Sequence, residues 1–142
     1  MSMGIAGIGN ETALAESRFE YRFQKQYLIF SPLAGMMVFG DGSKYFFAGF
    51  NIFRYFGKRL MVAPNFAFGA YHNGGEKELG GVIEFRSGLE IGYQVLEKLM
   101  VGVAFHHISN ASIYDKNPGT ETLSLILTLG SRQSKKKSAN CP

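Results

Sequence analysis

The stretch Val82-Ile83-Glu84-Phe85-Arg86-Ser87-Gly88-Leu89-Glu90-Ile91-Gly92-Tyr93-Gln94-Val95-Leu96 decides the fold. Its even positions read Val82, Glu84, Arg86, Gly88, Glu90, Gly92 and Gln94. Its odd positions read Ile83, Phe85, Ser87, Leu89, Ile91, Tyr93 and Val95. One face is polar and rich in glycine; the other is apolar and ends on a tyrosine. Side chains of a strand alternate between faces, so this period of two predicts a single strand of about 14 residues. That is more than twice the usual strand length.

The same parity recurs on both sides of this stretch. Leu14 to Phe23 carries Glu16, Arg18, Glu20 and Arg22 on one face and Phe19, Tyr21 and Phe23 on the other. Leu60 to Ala70 and Glu121 to Gly130 alternate in the same way. Tyr27 to Phe39 and Tyr45 to Phe56 are apolar on both faces and leave their register open. With a first strand at Met3 to Gly9, eight strands are expected. Turn signals separate them at 10–12, 24–26, 40–43, 57–58, 72–78, 96–98 and 112–119. Long strands joined by alternating short and mostly longer connections predict an all-β, eight-stranded antiparallel transmembrane barrel. Such a barrel has a narrow lumen that side chains must fill. Glycines beside paired charges suit that lumen, and bulky aliphatic and aromatic residues suit a lipid-facing exterior. A soluble barrel of lipocalin type shares the alternation and is the competing architecture.

Composition agrees. The chain has 142 residues, enough for one domain, and 46% are hydrophobic, too many for a disordered chain. Its net charge of +4 is concentrated in Arg132, Lys135, Lys136 and Lys137, which leaves eleven basic against eleven acidic groups in the rest. We therefore expect a barrel domain at 1–130, a disordered basic tail at 131–142, and no nucleic-acid partner. The single cysteine, Cys141, permits neither an intrachain disulfide nor a cysteine-based metal site. No apolar run reaches the length of a transmembrane helix. Met1 to Asn10 lacks the basic start and apolar core of an export signal.

Leu99 to Asn110 breaks the sorting. Its odd positions are Leu99, Val101, Val103, Phe105, His107 and Ser109, so a histidine and a serine share the apolar face. Glu121 does the same at the head of Leu123, Leu125 and Leu127. Polar groups facing hydrocarbon are costly and mark function. A hairpin register centred on residue 114 sets His107 opposite Glu121, within reach of a hydrogen bond. Ser109 stands two residues along. Nucleophile, base and orienting carboxylate then lie together, as in serine hydrolases. His106, on the other parity, is expected in the interior, and His72 in a loop.

The block His107-Ile108-Ser109-Asn110-Ala111, with Glu121 twelve residues after the serine, resembles the outer-membrane lipid A 3-O-deacylases. The resemblance implies an esterase that removes the acyl chain at position 3 of lipid A, with no metal or other cofactor. It implies Ser109 as nucleophile, His107 as general base and acid, and Glu121 as the group orienting the imidazole. Asn110 would support the oxyanion; alternation points its side chain inward, which leaves its backbone N–H for that task. Val103, Phe105 and Leu123 would touch acyl chains. The implied partners are lipopolysaccharide and the surrounding membrane lipids in the outer membrane; homodimerisation is left open. A non-catalytic small barrel, structural or adhesive, and a soluble lipid carrier are the alternatives.

Overall fold

The computed structural model describes residues 1–8, 13–75 and 77–130. Its strands are β1 (Ser2–Ala6), β2 (Leu14–Arg22), β3 (Phe30–Phe39), β4 (Lys44–Ile52), β5 (Arg54–Phe56), β6 (Leu60–His72), β7 (Ile83–Leu96), β8 (Leu99–Ser109) and β9 (Thr120–Leu129). Every pairing is antiparallel, and each strand pairs with the next except β4 and β5, which both pair with β6. β1 closes on β9 and β4 on β6, which makes a continuous barrel. β4 and β5 are one barrel strand interrupted at Phe53, since both pair with β6 in one register. The interruption falls beside Pro64, a residue with no N–H for the ladder. Counted this way the barrel has eight strands, with no edge left open.

Connections 7–13, 40–43, 73–82 and 110–119 gather at one end. Connections 23–29, 57–59 and 97–98 lie at the other, with Met1 and Gly130. The expected strand at Tyr27 begins only at Phe30. Tyr27 and Phe30 bridge each other around Leu28, whose φ of 58° bends the chain back. The expected first strand likewise stops at Ala6, where Gly7 turns at φ 80°. The basic tail, 131–142, and the turn at 10–12 lie outside the described residues.

Parity sorts the two surfaces. Leu89, Ile91, Val101, Val103, Leu125 and Leu127 face outward and are exposed, in a belt no water-soluble surface would carry. Inside, Arg18 reaches Glu90 (3.2 Å), Arg86 reaches Glu20 (3.0 Å), and Arg22 pairs with both Glu20 and Glu90. Arg18 also donates to His106 Nε2 at 2.9 Å, so the expected interior histidine is a neutral acceptor in the charged cluster. Buried charges are tolerated only when paired in this way. Gly88 is required where His106 crosses the lumen: a Cβ there would lie 2.3 Å from His106 Cδ2.

One expectation needs correction. Bulky side chains are not confined to the exterior. Leu33, Met37, Phe39, Tyr45, Phe47 and Tyr71 are buried in the lumen and form its apolar core. They come largely from the two segments that are apolar on both faces, so one half of each fills the barrel. The Arg86 guanidinium lies 4.0 Å from the Phe47 ring centroid and joins this aromatic layer to the ion pairs. A lumen cavity of about 410 Å³, lined among others by Phe53, Tyr55, Met61 and Met100, opens at the short-turn end.

Candidate active site

β8 and β9 pair with His107 directly opposite Glu121, Phe105 opposite Leu123 and Val103 opposite Leu125. These pairs stack down the outside of the barrel, from the long-loop end toward its middle. His107 Nδ1 lies 3.1 Å from Glu121 Oε1. A carboxylate accepts, so Nδ1 donates to it; in the neutral imidazole this leaves Nε2 with its lone pair. Both side chains remain open to the outside, at 46% and 37% exposure. Ser109 ends β8 on the same face and stands opposite Phe85.

The loop after Ser109 is held from several sides. Asn110 is fully buried. Its side-chain amide donates to the carbonyls of Leu79 (3.0 Å) and Lys116 (2.7 Å), and its Oδ1 accepts from Ser112 N–H. Its backbone N–H, the expected oxyanion donor, donates instead to Asn117 Oδ1 at 3.0 Å. Asn110 thus anchors the loop, because every polar group it carries is already engaged. Ala111 and Ser112 follow with φ of 52° and 60°, a left-handed pair that such anchoring maintains. Tyr114 OH accepts from Ile83 N–H at 3.2 Å and pins the loop to the start of β7.

Gly119 backs His107 and Ser109. Its φ is 63°, and a methyl placed on it would lie 3.3 Å from His107 Cε1 and 3.7 Å from Ser109 Cβ. Spacing alone singles out neither this glycine nor Ser87, which β7 sets directly opposite His107 on the exposed face. The parity of Ser87 is visible in the sequence, but only the β7–β8 register brings it to the histidine.

The neighbouring loops brace the same end. Asp41 accepts from the N–H groups of Ser43 (2.9 Å) and Lys77 (2.8 Å) and from Ser43 Oγ (3.0 Å). Partial burial pushes the Asp41 carboxyl up, but these hydrogen bonds prevail and hold it below its ordinary range. Burial pushes the Lys77 ammonium down, against the pull of Glu121 and Asp41. Val103, Phe105 and Leu123 continue the outward face below the His107–Glu121 pair. His72 sits at the end of β6, exposed, at the rim of the 73–82 loop.

The family profile Lipid A 3-O-deacylase (PagL) matches residues 4–129, nearly the whole described barrel. The chain belongs to this family. A crystal structure of the outer membrane enzyme PagL superposes with a TM-score of 0.70, covering 91% of this chain and 96% of that one. At 18% identity the likeness shows a shared fold. No curated protein matches the chain. As a family member this deacylase is an ester hydrolase and an outer-membrane β-barrel. That sets aside the soluble carrier and the non-catalytic barrel. Outer-membrane barrels keep short turns in the periplasm and long loops outside, so the His107–Glu121 end meets the outer leaflet.

Proposed function

We propose that Ser109, His107 and Glu121 form a catalytic triad on the lipid-facing wall of the barrel and hydrolyse the 3-O-linked acyl ester of lipid A. The observation that supports it most is the 3.1 Å His107–Glu121 contact on a mainly apolar exterior, two residues from an outward serine. Polar groups placed toward hydrocarbon weaken a barrel and persist for a function.

The chemistry follows from the protonation pattern. Glu121 holds the proton on Nδ1 of His107, so Nε2 takes the proton of the Ser109 hydroxyl as Oγ attacks the ester carbonyl. The resulting imidazolium is stabilised by Glu121 and gives its proton to the departing sugar oxygen. The acyl chain stays on Ser109 as an ester. Water then attacks this acyl-serine, loses a proton to His107, and a fatty acid leaves as the proton returns to Ser109 Oγ. Asn110 supports the step by fixing the loop that Ser109 enters. The acyl chain lies along Val103, Phe105 and Leu123. A membrane lipid reaches this site sideways, without leaving the leaflet.

Mass spectrometry of lipid A incubated with the reconstituted protein tests this. Wild type releases one acyl group from position 3, and Ser109→Ala releases none while remaining folded. Equal release by Ser109→Ala would end the proposal.

A further inference from the structure

We propose that Ser87 is a specificity-determining residue that hydrogen-bonds a hydroxyl on the acyl chain, close to the ester being cleaved. The inference rests on the reading of Ser109 as nucleophile and goes beyond it to the kind of acyl chain preferred.

Ser87 is the polar exception on its face. The outward positions of β7 are Ile83, Phe85, Ser87, Leu89, Ile91, Tyr93 and Val95. Its cross-strand neighbours are Phe66 on β6 and His107 on β8. Among the described residues no hydrogen bond to the Ser87 hydroxyl is formed, although it is exposed on the lipid-facing wall. An unpartnered hydroxyl against hydrocarbon is unfavourable, and a lipid that brings its own polar group removes the cost.

The register fixes where that polar group must be. Ser109 is opposite Phe85, so Ser87 is its diagonal neighbour, about 7–8 Å away between backbones. β7 runs from the long-loop end toward the periplasm, which puts Ser87 deeper in the bilayer than Ser109. Phe105 and Val103 lie deeper in the same sense, on the side where the acyl chain must run. In a bound ester the carbonyl carbon sits at Ser109 Oγ and the chain descends past Ser87. A hydroxyl on the third carbon lies about 3–4 Å from the carbonyl carbon by ordinary bond lengths. That distance, added to the reach of two serine side chains, spans the diagonal. A hydroxyl far down the chain would pass below Ser87, beside Leu89 and Ile91.

The test compares two synthetic 3-O-acyl glucosamine esters in mixed micelles, alike except for a hydroxyl on the third acyl carbon. The wild-type chain should prefer the hydroxylated ester in kcat/KM by about three- to tenfold, the worth of one neutral hydrogen bond. Ser87→Ala should bring the ratio of the two close to one, chiefly through KM for the hydroxylated ester. Ser87→Thr, which keeps the hydroxyl, should retain the preference. An unchanged ratio in Ser87→Ala, or an equal loss on both esters, overturns the assignment; the latter would mean that Ser87 merely supports His107. If the wild type cleaves both esters equally, the Ser87 proposal fails while the Ser109 reading stands. If it cleaves neither, the Ser109 reading fails and takes this inference with it.

Discussion

Gly119→Ala separates the folding role of the site loop from its catalytic one. Gly119 has φ 63°, where a Cβ costs about 1–2 kcal/mol. The new methyl would also lie 3.3 Å from both His107 Cε1 and Ile108 O, closer than ordinary contact. Ile108 is fully buried in the lumen and its strand is paired on both sides, so the imidazole is the freer neighbour. It must give by a few tenths of an ångström. A misplacement of 1 Å can cost about a hundredfold, so this shift should lower turnover by roughly three- to fivefold. Gly57→Ala is the control. Gly57 has φ 60° in the turn between β5 and β6, and a Cβ there meets nothing within 4 Å. Both variants should lower the temperature at which the folded band disappears on a heat-modifiable gel. Only Gly119→Ala should slow fatty-acid release. Full turnover in Gly119→Ala, or an equal slowing in Gly57→Ala, would refute the placement of Gly119 behind the imidazole.

Three further outcomes follow from other parts of the molecule. His107→Ala should lower turnover by at least about 10³-fold, whereas Glu121→Gln should cost about 10- to 150-fold, the worth of one charge-assisted hydrogen bond; single-turnover rates would rank them, and the reverse order would contradict the orienting role of Glu121. Gly88→Val should prevent folding, because its side chain enters the space held by His106, and loss of the heat-modifiable band would show it. Asp41 has a lowered carboxyl pKa, so its contribution to the 40–43 and 73–77 loop contacts is complete above the ordinary aspartate value of about 3.9 and fades as the pH falls through its lower folded value. The protection factors of the Ser43 and Lys77 amides, taken against intrinsic exchange at each pH, should therefore fall in acid in the wild type and already be low at neutral pH in Asp41→Asn.

How much of this was legible in the sequence depends on how sharply each segment sorts its side chains. Val82–Leu96 states its strand, its length and its two faces, because glycine and charge alternate with Leu, Ile and Phe at every step. The hairpin that opposes His107 to Glu121 is legible for a related reason: both residues are polar intrusions in apolar series, and their symmetric placement about residue 114 defines one register. Phe30–Phe39 and Lys44–Ile52 do not sort, since the lumen wants apolar bulk at their height as much as the bilayer does. The aromatic core of the lumen was therefore hidden. The ends of strands were also hidden, because Tyr27 and Leu28 look like strand residues and a left-handed φ at Leu28 decides otherwise. Asn110 shows a third limit. Parity points its side chain inward, but only the folded loops show that Leu79, Lys116 and Asn117 use all its hydrogen-bonding groups. Gly119 matters through neighbours across a turn, and no local pattern announces it; Ser87 shows as a polar intrusion in its apolar series, but only the β7–β8 register brings it to His107.

The central claim is that an outward serine on the bilayer face is an activated nucleophile. Treating the folded protein in micelles with a lipophilic fluorophosphonate, then mapping the adduct by peptide mass spectrometry, tests it most directly. One adduct is expected, on Ser109, forming at the rate activity is lost and nearly absent in His107→Ala. Loss of activity with Ser109 unmodified, or an adduct that forms equally fast without His107, would contradict it.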